Sequence, residues 1–461
     1  MPAAPAESNA GTAGKQLQQQ QPQQQLRLHY IDWLRAFIIA LVILFHCLDL
    51  YFNYTYSAAV YLGIVNTPPA GGTRIAALVL AQLIQSWFMG LMFLLSGFFS
   101  GPSYQRKGAA RFLADRTLRL LLPLLVYDCI LQPLAFEIAR HSPKAPAGLQ
   151  EAASGFAYYY ATQFTRLGHG AAWFIAVLFV FDLVYAAVRV AAACWGAALR
   201  RYGREQRSKH VAAVHAAQVL VDGEKVIAAS TAAAGAGGSE LQEPFSYSLA
   251  ATACGAAAIT AVISSLTLLV RVGVLIPLGL PISLWVIQFI QFQPAYLPQY
   301  VVAFILGLAA RRVDALRRLP NSAGAAAAAA ALALAGTGVV IMAVMPGSNF
   351  GNELEWGPSA VYVAVYAVWE QCYAVCMWLA LLVLFRQLVN SQGGRLGAAI
   401  SGAAYAVYLV HVPVLTAFGL AVGMLAWHPA AQCGLVTLLT VVGSWVVGLL
   451  LRLIPGVKHV L

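Results

Sequence analysis

The sequence predicts an all-α fold, a polytopic membrane bundle of about ten transmembrane helices. Of the 461 residues, 60% are hydrophobic and only 10% are charged, against about a quarter charged in ordinary soluble domains. Apolar runs long enough to cross a bilayer recur from residue 32 to residue 452. The alternation that a membrane barrel would require is missing. Mean hydropathy is +0.72. The net charge of +11 is gathered in clusters between the apolar runs, as expected of cytosolic loops. It does not form a nucleic-acid-binding face, and no nucleic-acid partner is expected.

Residues 1–27 are Ala, Gly and above all Gln; such a tail buries no core and is expected to be disordered. It contains no apolar stretch ahead of a small-residue cleavage site, so the first span is read as an uncleaved anchor. The membrane domain covers residues 28–455. Its expected spans are 30–52, 76–100, 119–139, 170–194, 247–270, 297–312, 323–345, 358–385, 400–425 and 431–452. The apolar stretch 272–298 is interrupted by Pro277, Pro281, Pro294 and Pro298, and is read as re-entrant or interfacial. Making it a span would move Arg311, Arg312, Arg317 and Arg318 outside, against the charge bias.

With ten spans both termini are cytosolic. The inner loops then hold Arg106 to Arg119, Arg200 to Lys209, the Arg311–Arg318 quartet, Arg386, Arg395, Arg452 and Lys458. The outer ones hold Arg74, Arg140, Lys144, Arg166, Arg271, Glu353 and Glu355. Residues 195–246 are expected to be a flexible cytosolic loop interrupting the membrane domain. The Ala tract 323–335 reads as a span, and no internal repeat of the transporter kind is seen. The seven cysteines fit neither a zinc site nor a disulfide framework and read as small hydrophobes; no metal site is expected.

Within this frame a few residues carry chemistry. Arg35 and His46 are eleven residues apart in the first span. Eleven steps of about 100° return to nearly the same helix face, and cover about 16 Å. A guanidinium thus lies near one surface, with an imidazole about halfway through the ~30 Å hydrocarbon layer. A titratable group at that depth belongs in the protein interior or a wet cavity; a packing histidine is the competing explanation. Asp49, one turn on, is placed to orient that imidazole, unless it lies at the outer interface.

Ser96 and Gly97 are small enough for close helix approach. Arg116 and Arg119 share one helix face and suit phosphates through their forked donors; taken alone, headgroup contact or topology setting explains them better. His411 reaches nearly the depth of His46, with Tyr408 and Tyr405 on the turns before it. Two mid-membrane histidines favour a shared polar cavity over separate interhelix bonds. Trp173 opens the fourth span and is equally well explained as an interfacial anchor.

In this order the pieces resemble the acyltransferase-3 family of multi-pass membrane acyltransferases, especially the branch that includes bacterial glucan succinyltransferases. Its arginine–ten residues–histidine signature corresponds to Arg35 and His46. Its Ser-Gly element and following Arg-x-x-Arg-Leu-x-x-Pro-like segment look like Ser96, Gly97, Arg116, Arg119, Leu120 and Pro123. Its Gln-Tyr span resembles Gln299, Tyr300, Gly307, Arg311 and Arg312, and its closing motif Tyr405, Tyr408, Leu409 and His411. The Gln-rich start and the 195–246 insertion depart from the pattern.

The resemblance implies transfer of an acetyl- or succinyl-type group from cytosolic acyl-CoA, with no bound cofactor, to a hydroxyl, often of a sugar. His46 and Arg35 would be catalytic. Arg116, Arg119, Ser96, Tyr405, Tyr408, His411, Asp49 and Trp173 would form the substrate site. Histidine is the natural base for a poor hydroxyl nucleophile, and donors near the thioester carbonyl would stabilise its developing charge. The alternatives are a transporter using the same polar groups for passage, or a lipid binder without transferase activity. Sequence leaves the acceptor, the membrane and the oligomeric state open.

Overall fold

The computed structural model describes residues 28–52, 71–164, 169–219, 246–280, 286–288, 290–345, 359–391 and 393–457. The tail 1–27, residues 220–245 of the insertion, and Arg166, Glu353, Glu355 and Lys458 lie outside the described residues. The chain is a helical bundle, and its long helices are α1 (His29–Phe52), α2 (Gly72–Gln85) and α3 (Phe88–Arg116). A rod of short helices follows, α4 (Leu122–Val126) and α5 (Gln132–Ala139), each entered through a π-helical turn. Then come α6 (Ala147–Gln150), α7 (Gly155–Thr162), α8 (Trp173–Val219) and α9 (Leu249–Val270). After these lie α10 (Leu297–Arg312), α11 (Ala315–Arg318), α12 (Asn321–Val344), α13 (Ala360–Leu388), α14 (Gly394–Gly423) and α15 (Pro429–Leu451).

Among the described residues, eight helical stretches are long and apolar enough to cross a membrane. One of them, Gly72–Ala139, is 68 residues long, about three bilayer thicknesses at 1.5 Å per residue. Gly108 divides it: its φ of 72° with ψ of 171° is a conformation that only glycine adopts at little cost. The two pieces correspond to the second and third expected spans. The expected span 297–312 appears as α10, whose 16 residues leave it outside the eight stretches long enough to cross.

The proline-rich stretch forms no span-length helix among the described residues. After a π-helical turn, Arg271–Leu275, comes an antiparallel pair of short strands, β1 (Val286–Gln288) and β2 (Ile290–Phe292), with Val286 opposite Phe292. Proline's missing N–H and fixed φ explain the interruption.

Two expectations change. The fourth span was expected to end near residue 194, but α8 continues to Val219. The basic start of the insertion is rich in helix formers and has no proline before Val219. Arg271, counted among the outer-loop cations, is completely buried and paired with Glu370 at 2.7 Å. It therefore says nothing about which side of the membrane is which. A core polar network continues from there: Gln371 donates to Glu370 at 2.8 Å, and Gln299 donates to Gln371 and to the Ser86 carbonyl, both at 2.8 Å.

The tightest helix contact joins α3 to α10. A Cβ on Gly97 would collide with the Phe304 carbonyl, and one on Gly307 with the Leu94 carbonyl. Backbones that close are possible only with glycine on both sides. Elsewhere, α12 packs along α13, where Trp369 donates to the Leu334 carbonyl at 2.7 Å over Gly338. Arg386, near the end of α13, donates to the carbonyls of Leu316 and Leu319 at 2.9 and 2.7 Å, tying down the basic turn after α10.

Candidate functional site

His46 is on α1 and His411 on α14, and their imidazoles stack with centroids 5.3 Å apart and planes 30° from parallel. His411 is fully enclosed and His46 is 8% exposed. The Nδ1 atom of His411 lies 2.6 Å from the Tyr408 carbonyl. A carbonyl can only accept, so Nδ1 carries the hydrogen and, in the neutral ring, Nε2 carries the lone pair. That Nε2, and Nδ1 of His46, are buried with no hydrogen-bond partner among the described residues. Buried polar atoms are usually satisfied, so two unpartnered imidazole nitrogens in contacting rings make this pair a candidate site. Asp49 is buried one turn beyond His46.

Tyr408 anchors this pair. Its hydroxyl donates to the Ala171 carbonyl, and its ring lies 6.2 Å from Phe174. Around it, Trp173 packs 5.6 Å from Tyr300, and Phe93 lies 4.8 Å from both Phe174 and Tyr300. Trp173 is therefore a core residue (8% exposed), and the interfacial explanation of it falls away. His46, His411 and Tyr408 thus lie in direct ring contact, and Trp173 joins them through Phe174.

Two residues before Ala171, His169 bonds through Nδ1 to Asp128 at 2.7 Å, with both residues buried. Neither residue was among the expected site residues. They are 41 positions apart, and only the packing of the rod after α3 against the start of α8 brings them together. The sole sequence signal was a carboxylate within an apolar run.

The other predicted residues gather toward the end of α3. Arg35 sets its guanidinium 4.5 Å above the Phe99 ring, a cation–π contact. Arg116 is engaged inside the protein: its Nε lies 3.0 Å from Asp182, while Ser100 donates to the same carboxylate at 2.7 Å. Arg119 is exposed and paired with Asp115 at 3.2 Å; its carbonyl accepts from Tyr405 at 2.7 Å. Ser96 donates to the Met92 carbonyl of its own helix at 2.8 Å. Arg116 and Arg119, neighbours on one face in sequence, thus have different surroundings. One is tied into the core, the other faces out.

Nearby, a polar cleft of about 490 Å³ is lined by Gln105, Tyr185, Arg311, Arg312, Asp314 and Arg317, among others. Asp314 lies 4.0 Å from Arg311 and 3.7 Å from Arg317. No group of three or more potential metal ligands occurs among the described residues.

The model of the acyltransferase-3 family, described as an acyltransferase domain, matches residues 28–223 and 245–449. That covers nearly all of the membrane domain and skips only part of the insertion. Comparison with curated proteins and with solved structures yields no match.

Proposed function

Since the chain belongs to the acyltransferase-3 family and is a multi-pass membrane acyltransferase, we propose that it moves an acyl group from acyl-CoA to a hydroxyl. The acceptor hydroxyl, by this reading a carbohydrate's, enters beside the stacked histidines, and the acyl group is of the acetyl or succinyl type. The observation that carries the reading is the buried His46–His411 pair with its two unpartnered nitrogens. His46 is the general base, because a base must reach its substrate and His46 alone of the pair retains some exposure. His411 is held in one tautomer by the Tyr408 carbonyl and presents Nε2 as a further acceptor.

The chemistry balances within the site. The hydroxyl oxygen attacks the thioester carbonyl as its proton passes to His46; the C–O ester bond forms and the C–S bond breaks. The departing thiolate then takes the proton back from the imidazolium, leaving histidine neutral for the next turnover. The inner mouth receives the donor's phosphates through Arg119, the exposed member of the arginine pair, with Arg35 nearer the reacting end on the face of His46. Arg116, held by Asp182, positions this mouth.

A panel of labelled acyl-CoAs offered to purified protein tests the reading. Thioester consumption coupled to ester formation is expected for at least one donor. Intact thioester with every donor, by well-folded protein, would reject the acyl-CoA assignment. The transporter alternative predicts uptake of label into vesicles without thioester cleavage.

A further inference from the structure

An apolar groove of about 600 Å³ runs between α8 and α10, with Val184 and Val188 on one wall and Val301 and Ile305 on the other. Arg189 and Arg312 line it as well, the only charged residues that do among the described residues. From Val177 to Arg189 the groove wall follows α8 for twelve residues. At 1.5 Å per residue that is about 18 Å, slightly more than half of a ~30 Å hydrocarbon layer. The groove therefore has the length of one leaflet's acyl chain, and its cations belong at the level of that leaflet's headgroups.

The two cations also differ from their neighbours. Arg116, Arg119, Arg271, Arg311 and Arg317 each have a carboxylate within 4.0 Å. Among the described residues, Arg189 and Arg312 have none. Arg189 is half-buried; its guanidinium lies 5.2 Å above the Tyr104 ring and donates to the Tyr185 hydroxyl at 3.2 Å. These neutral contacts orient its charge without cancelling it. Arg312 is the exposed last residue of α10. Two uncompensated guanidinia beside a chain-length apolar groove match an anionic phosphate attached to a hydrocarbon tail.

We propose that this groove is a binding site for one anionic phospholipid, its phosphate on Arg189 and Arg312 and an acyl chain lying between α8 and α10. The site is separate from the histidine pair, and its occupancy does not depend on the transferase reading. Because α10 is locked to α3 through Gly97 and Gly307, a lipid seated there would brace the helices that build the inner mouth.

The test uses the full chain, purified and delipidated in neutral detergent. Phosphatidylglycerol or phosphatidylcholine is added, and retained lipid is counted by native mass spectrometry. Wild-type protein should retain phosphatidylglycerol several-fold better than phosphatidylcholine. The double variant R189A/R312A should retain the two lipids about equally, and R189K/R312K should keep part of the preference, since lysine preserves the charge without the fork. Ile305→Trp, which fills the groove and leaves both arginines in place, should reduce phosphatidylglycerol retention too. Equal retention of the two lipids by wild type overturns the proposal, as does undiminished preference in R189A/R312A. Displacement of the lipid by millimolar inorganic phosphate would also overturn it, because the tail would then contribute nothing.

Discussion

His46 combines three properties at one position: burial within an apolar span-length helix, contact with a second imidazole, and a ring nitrogen buried without a partner. A packing histidine would have its nitrogens satisfied. If it is the base, His46→Gln and His46→Ala should both insert and fold, yet lose about 10²–10⁴ in turnover, the usual contribution of a general base. The KM for acyl-CoA should stay near wild type. Well-expressed H46Q protein with near-normal kcat would return His46 to a structural role, since glutamine keeps the hydrogen bonding and removes only the basicity.

At the same scale the two arginines separate. Arg119→Ala should raise the KM for acyl-CoA with little change in kcat, the signature of lost ground-state binding. Arg116→Ala should act on folding, because it leaves the Asp182 carboxylate buried beside only Ser100. Removing one member of such a pair typically costs about 3–5 kcal/mol. Thermal unfolding in detergent, read beside steady-state kinetics, distinguishes the two. A KM change in R116A at unchanged stability would show that Arg116 touches the donor.

Among the elements, the α3–α10 contact is the least tolerant. Both glycines face the partner's backbone carbonyl, and no rotamer can relieve a clash with backbone. Gly97→Ala and Gly307→Ala should therefore destabilise at the upper end of, or beyond, the roughly 1–3 kcal/mol of ordinary overpacking. Gly336 of α12, with nothing within 4 Å of its added Cβ, is the control, and G336A should match wild type. Equal melting temperatures for all three variants would mean that α3 and α10 are further apart than described. The same contact is the close helix approach that the small side chain of Gly97 suggested in sequence.

For the whole molecule, the basic turn after α10 is the informative feature. Arg386 binds the carbonyls of that turn, so residues 311–319 and the end of α13 lie on one side. Charge bias predicts that this side, together with both termini, is cytosolic. A single cysteine at position 315 in an otherwise cysteine-free chain should be protected from impermeant reagents in intact cells and labelled in opened ones. Labelling in intact cells would invert the topology.

Hydropathy and periodicity were enough for the class, for most spans and for rejecting a span at 272–298, because each rests on composition over a single segment. That His46 and His411 lie level with each other was legible for the same reason: helical rise converts sequence number into position along a helix. Pairing across helices was not legible. Nothing local distinguishes Arg116 from Arg119, yet Asp182, 66 positions past Arg116, ties down one and not the other. Arg271 read as a loop cation until Glu370, 99 positions away, was found against it. Asp128 and His169 meet only because the rod after α3 packs against the residues that lead into α8. Helix formation and burial depth are properties of a segment, whereas the cost of a buried charge is set by whichever neighbour the packing brings beside it.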